Sequence, residues 1–160
     1  MQPTYRPIRL EDNATIASVT RAVLLEFGVA GPGTAFEDPE LDRMFETYQP
    51  PRHAYFVAEH QGAVIGGCGI APLRGAETET CELQKFYLVP NARGKGAGKA
   101  LIDRCLETAR QKGFKQCYIE TVMEMTAARK LYERCGFRYL DKSYGNTGHH
   151  RCTVWMLRDL

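Results

Sequence analysis

From Arg93 to Lys99 the chain reads Arg-Gly-Lys-Gly-Ala-Gly-Lys, a glycine-rich turn with basic residues at both ends and in the middle. Where such a turn opens a helix, several backbone N–H groups point outward together, backed by the positive end of the helix dipole. The ligand that suits this arrangement is an anion, and a pyrophosphate above all. Spacing excludes two familiar pyrophosphate sites. A Walker loop ending at Gly98-Lys99 needs glycine where Arg93 stands and Ser or Thr where Ala100 stands. A dinucleotide fingerprint starting at Gly94 needs glycine at Lys99. The pattern that remains is Arg-x-x-Gly-x-Gly, met by Arg93, Gly96 and Gly98.

The flanking elements must hold that turn in place. Before it, Thr80 to Val89 has the composition of a strand, stopped by Pro90. After it, a helix is expected from about Gly98, with Leu101, Ile102, Cys105, Leu106 and Ala109 at the three-and-four spacing of a half-buried helix. Gly113 stands where a left-handed residue ends such a helix.

The strand, the turn and the later run Leu131-Tyr132-Glu133-Arg134-Cys135-Gly136-Phe137 follow one another in the order and spacing of the GNAT superfamily. The chain resembles these acetyl-CoA-dependent N-acetyltransferases over most of its length. A lone glycine turn is a weak signal; two motifs about forty residues apart, joined by a helix and a strand, are a strong one.

The resemblance implies a division of labour. Phe86, Tyr87 and Leu88 hold the cofactor through backbone atoms, and Arg93, Gly94, Lys95, Gly96, Ala97, Gly98 and Lys99 form the pyrophosphate cradle. A bulge parts this strand from its neighbour, pantetheine lies in the gap, and a backbone N–H near Leu88 faces the oxyanion. Amine acetylation also needs a base, because an amine with a pKa near 10 is mostly protonated at neutral pH. Two carboxylates match bases found in different branches of the family: Glu82 ahead of the turn and Glu120 on the next strand. Glu82 is slightly favoured. Tyr132 takes the place of the general acid that protonates the departing sulfur. Met125 stands where many members carry an asparagine that contacts pantetheine; either Thr126 substitutes or the contact is missing.

Composition sets the outer bounds. The chain has 160 residues, a length that suits one domain (1–160) with its own core. Its net charge of +2, with both signs interspersed, invites neither a nucleic-acid nor a membrane-surface partner. The N-terminus lacks a signal-peptide apolar stretch, and the six cysteines contain no C-x-x-C pair. A cytoplasmic protein with buried, reduced thiols is expected.

Taken in order, Thr4 to Leu10 reads as a strand, and Asp12 or Asn13 as the cap of a helix that buries Ile16, Val19, Val23, Leu24 and Phe27 and ends at Gly28. Asp38-Pro39 reads as the start of a second helix, burying Leu41, Met44, Phe45 and Tyr48. Strands follow at His53–His60 and Ala63–Leu73, where Gly66, Gly67 and Gly69 signal a bulge or a close backbone approach. The C-terminal part reads as a strand at Lys115–Val122, a helix at Thr126–Cys135 and strands at Phe137–Lys142 and Arg151–Leu157. The sum is a mixed α/β sheet of about seven strands flanked by about four helices.

The family places the two early helices and their loop over the acceptor, so Phe36 is a candidate substrate contact, and Tyr144, His149 and Trp155 are candidates as a loop-and-strand rim of the acceptor pocket. No metal is expected. Adjacent His149 and His150 in a strand point to opposite faces, and no carboxylate lies near them in sequence. Acetyl-CoA is the expected cosubstrate, a small primary amine such as an amino acid or related metabolite the acceptor, and a homodimer the assembly common in the family. A protein N-terminus or lysine is the alternative acceptor. A non-catalytic acetyl-CoA sensor is the alternative of another kind.

Overall fold

Alternation at period two divides the second strand between two cores. In the computed structural model, which describes residues 2–160, Tyr55 and Val57 pack to one side of the sheet and Phe56 and Ala58 to the other. The first core takes in Ile16 and Ala17 of α1 (Asn13–Glu26) and Met44 of α2 (Met44–Thr47). The second takes the stripe Leu101, Ile102, Cys105, Leu106 and Ala109 of α3 (Ala97–Gln111), with Tyr132 of α4 (Thr126–Arg134). Each fully buried Leu or Ile of that stripe contributes about 1.5–3 kcal/mol relative to exposure, which makes α3 the main brace behind the sheet.

The strands are β1 (Thr4–Pro7), β2 (Ala54–His60), β3 (Ala63–Pro72), β4 (Thr80–Leu88), β5 (Gln116–Thr121), β6 (Arg138–Leu140) and β7 (Val154–Asp159). They form one sheet in the order β1-β2-β3-β4-β5-β7-β6. Every neighbouring pair is antiparallel except β4–β5, the strands bridged by the crossover helix α3. That parallel pair is short. It joins Thr80 to Gln116, Cys81 to Cys117 and Glu82 to Tyr118, and goes no further.

Beyond Glu82 the two strands part. Lys85 adopts a left-handed φ of 52°, and the β3–β4 register shifts between Gly67 and Gly69. A bulge of this kind bends its strand and re-aims the side chains beyond it. Tyr55 fixes the bend by donating its hydroxyl to the Lys85 carbonyl at 2.8 Å. Its ring lies so close over β3 that a Cβ on Gly67 or Gly69 would fall 2.5 Å from it. The β3 glycines are therefore the close approach their sequence signals.

Some boundaries differ from expectation. The first strand stops at Pro7, and Leu10–Asp12 forms a 3₁₀ turn. Asp12 does not cap α1 with its side chain: the buried carboxylate instead accepts from the Arg9 amide and from Arg6. The expected second helix is broken, with a 3₁₀ turn at Pro39–Asp42 and a single α turn at Met44–Thr47. The final strand begins at Val154, leaving 141–153 outside the sheet. No helix among the described residues is long and apolar enough to cross a membrane.

Candidate active site

Two connected hollows occupy the gap between β4 and β5. The larger, of about 410 Å³, runs from the parted strands to the start of α3. Phe86, Tyr87 and Leu88 supply one wall, Ala128 and Leu131 of α4 the other, and Arg93, Gly94, Gly96, Gly98 and Lys99 the mouth. Of the cradle residues expected from sequence, Lys95 and Ala97 are not in its lining: Ala97 is buried beneath the turn and Lys95 is exposed.

The mouth is shaped by two glycines for different reasons. Gly96 has a φ of 87°, which swings the chain into the helix and which a side chain would resist. At Gly98 the reason is space, because a Cβ would meet Leu131 Cδ2 at 2.9 Å and Phe86 Cζ at 3.0 Å. Arg93 locks the turn to its surroundings, donating from Nε to the Leu88 carbonyl at 3.1 Å and pairing with Glu26 of α1 at 2.8 Å. Arg93 and Lys99 stand here paired with Glu26 and Asp103, Arg134 adds a further cation, and Val23, Phe27 and Leu131 keep the middle apolar. A diphosphate joined to an extended, weakly polar arm fits that gradient.

The smaller hollow, of about 80 Å³, lies deeper and holds the titratable groups. Glu82 and Glu120 come from the two strands that part, and Tyr132 lines the same space from α4. Burial pushes the Glu82 carboxyl up to about 7, working against the hydrogen bond from Gln84. Gln84 Nε2 donates to Glu82 Oε1 at 2.5 Å, and Tyr48 donates its hydroxyl to Gln84 Oε1 at 2.6 Å. Tyr48 thus fixes which way the amide faces, and the amide fixes the carboxylate. Glu120 has a different setting: its two oxygens accept hydroxyls from Tyr118, at 2.7 Å, and from Thr147.

Tyr132 packs edgewise against Phe137 and at a tilt against Phe86, with burial raising its phenol well above the usual range. It stays protonated at any working pH. Met125 lines both hollows, at their junction. Thr126 spends its hydroxyl on the Met123 carbonyl at 3.4 Å, within its own turn.

Two loops roof the smaller hollow, and their contact runs through one carboxylate. Asp38 accepts from Lys85 Nζ at 2.5 Å and from His149 Nε2 at 2.9 Å. Burial would raise Asp38, but His149 and Lys85 outweigh it and hold it below the ordinary carboxylate range. The same contact raises His149 against the lowering effect of its own burial. Arg151 adds a bond to the Ala30 carbonyl at 3.3 Å, and the Arg151 amide one to the Gly33 carbonyl at 3.3 Å. Asp38 is therefore no helix cap but the clasp between the loops. Lys85, three residues beyond Glu82, is committed to Asp38 and, at 3.6 Å, to Glu40.

Of the four candidate substrate contacts, the structure brings only His149 to the lining. Phe36 packs on Leu24, Val29 and Ala35, Trp155 on Leu73, Tyr118 and Leu157, and Tyr144 lies edgewise on Tyr118. Sequence reading missed Asp38, Gln84 and Tyr48 as parts of the site. Gln84 shares a strand face with Glu82, the one signal available beforehand. It also missed the carboxylate near the histidine pair. Glu120 lies with His149 and Cys152, their ligand atoms all within 4.8 Å of one another. The histidines sit in a loop rather than a strand, His149 facing Asp38 and His150 lying beside Gly33.

Comparison with known proteins agrees with this geometry. Residues 21–137 match the model of the Acetyltransferase (GNAT) family. The chain is 48% identical over 159 residues to the uncharacterized N-acetyltransferase YjgM of Escherichia coli, covering 99% of this chain and 95% of that one. Its fold superposes on a GNAT-family acetyltransferase from Staphylococcus aureus with a TM-score of 0.87, at 16% identity and 98% coverage of both chains. A phosphinothricin acetyltransferase from Sinorhizobium meliloti, solved with AcCoA, matches at a TM-score of 0.78 and 28% identity, covering 100% of this chain and 89% of the other. With the parted strands, the glycine turn and these likenesses together, the chain belongs to the GNAT family of N-acetyltransferases.

Proposed function

We propose that this N-acetyltransferase moves the acetyl group of acetyl-CoA directly onto a small primary amine, such as an amino acid or related metabolite, with both substrates bound at once. The observation that carries the reading is Glu82: a carboxyl buried where β4 and β5 part, poised near neutral pH, with Tyr132 in the same hollow.

Glu82 takes the proton from the incoming ammonium, directly or through one water, and its raised basicity suits the task better than an ordinary carboxylate. The amine nitrogen bonds to the thioester carbon, whose carbonyl pair moves onto oxygen; as that pair returns the bond to sulfur breaks, Tyr132 gives its phenolic proton to the departing sulfur, and the second nitrogen proton passes to the phenolate. A backbone N–H near Leu88 faces the developing oxyanion. Gly96, Gly98, Arg93 and Lys99 would hold the diphosphate, and the apolar walls the pantetheine arm. Holding both substrates makes the attack effectively intramolecular.

A small acceptor suits an inner hollow of only about 80 Å³, roofed by two clasped loops. Its carboxylates Glu82 and Glu120, with Lys85 already paired to Asp38, favour a cationic amine. The test is thiol release from acetyl-CoA across a panel of amino acids, polyamines and N-terminal peptides. Turnover with a small amine, lost by roughly 10²–10⁴-fold in Glu82→Gln and far less in Glu120→Gln, is expected. Equal losses in the two variants would remove Glu82 as the base. Heat stabilisation by acetyl-CoA without turnover would instead make the protein a sensor.

A further inference from the structure

We propose that Glu120, His149 and Cys152 form a binding site for a single zinc ion inside the acceptor hollow, where the ion excludes the amine. The three residues come from β5 and from the loop ahead of β7, and all line the same hollow. Their ligand atoms lie within 4.8 Å of one another. Around a tetrahedral zinc, ligand atoms sit roughly 3.5 Å apart, so a modest side-chain rotation closes the set.

The donor types select the ion. A thiolate with an imidazole and a carboxylate suits zinc, whereas magnesium and calcium take oxygen ligands. Three protein ligands leave a fourth position for water, in the space the acceptor amine would occupy. Binding forms a zinc–sulfur bond as the Cys152 Sγ–H proton leaves to solvent, and a zinc–nitrogen bond as the imidazolium proton on His149 Nδ1 leaves with it; nothing is oxidised.

What distinguishes this cluster from a chance gathering is its outer layer. His149 Nε2 is held by Asp38 at 2.9 Å, which leaves Nδ1 to the metal. Glu120 is oriented by the hydroxyls of Tyr118 and Thr147, each taking one lone pair and leaving others free. Partners that orient ligands in this way accompany built metal sites. Glu82 and Asp38 near Cys152, together with Glu120, favour an incoming dication.

The test uses the whole protein, freed of metal with a chelator, and does not depend on turnover. Calorimetric titration with zinc should give one equivalent bound, and cobalt should produce a thiolate-to-cobalt absorption band. Cys152→Ser should lose the band, His149→Asn should lose stoichiometric zinc, and Thr147→Val should weaken zinc about tenfold. The remaining cysteines (68, 81, 105, 117 and 135) are all buried, so a band surviving in Cys152→Ser overturns the site. Absence of stoichiometric binding in the wild type does so as well. A zinc-dependent rise in wild-type Tm, absent in His149→Asn, reads the same site should the serine variant fold poorly. Zinc binding without acetyl transfer would leave this site standing and remove the catalytic reading; the reverse result would do the opposite.

Discussion

The two hollows of this enzyme are built in opposite ways. The outer one has a local mouth: Arg93, Gly94, Gly96, Gly98 and Lys99 belong to one short turn shaped by backbone geometry. The inner one gathers Asp38, Glu82, Glu120, Tyr132 and His149 from widely separated stretches and depends on side-chain partners. A phosphate group needs outward amides and the absence of bulk, which a short turn supplies. A base poised near neutral pH needs removal from water and selected neighbours, which only distant segments can bring. The cradle therefore suits a constant cosubstrate, and the gathered chamber a particular acceptor.

That contrast can be broken by substitutions on either side. The largest effect is expected from Tyr132→Phe, which keeps the packing on Phe86 and Phe137 but removes the proton donor. Its kcat should fall by roughly 10²-fold or more, with the KM for acetyl-CoA little changed; an unaltered kcat would take the acid role from Tyr132.

Next is Asp38→Asn, which leaves the buried Lys85 with only the more distant Glu40 as a charged partner. Removing one partner of a buried pair costs about 3 kcal/mol, readable as a lower denaturation midpoint. Acceptor KM should rise more than acetyl-CoA KM, because the loops lose their clasp. Equal changes in both would mean that the roof does not belong to the acceptor side.

Gly98→Val should show the reverse pattern. Its side chain collides with Leu131 and Phe86, costing about 1–3 kcal/mol in stability, and acetyl-CoA KM should rise while acceptor KM holds.

The finest test concerns pH. In its proposed role as base Glu82 must be deprotonated, so kcat/KM should climb as pH rises through about 7 and then level. Gln84→Leu removes the hydrogen bond that favours the ionised form. The acid limb should move upward by roughly one pH unit, while activity on the plateau persists. A limb that stays in place would show that the Tyr48–Gln84 pair does not tune the base. The stability consequence has the opposite sense. The folded state holds the Glu82 proton to higher pH than the unfolded chain, so this group's contribution to stability falls as pH rises from the ordinary carboxylate range through about 7. Glu82→Gln should flatten that decline in a Tm-against-pH series.

How much was legible beforehand follows the same division. The strand from Thr80, the glycine turn and the stripe Leu101–Ile102–Cys105–Leu106–Ala109 were readable because each is a local pattern with a local cause. The helix expected after Asp38-Pro39 was not, since Asp38 is drawn away from capping by Lys85 and His149 and the following residues settle as two short turns. Local capping chemistry lost there to a buried ion pair. Likewise His149 was legible as a site candidate, whereas its partner Asp38 lies 111 positions away.

By itself, the sequence determined the glycine turn, the crossover helix, the family and the two candidate carboxylates. Only the tertiary structure gave those carboxylates different settings, removing Glu82 from water and giving Glu120 two hydroxyl partners. It alone placed Glu120 beside His149 and Cys152. The physical reason is range. Backbone shape is set by a few neighbouring residues, while burial and charge depend on whatever the fold brings within a few ångströms.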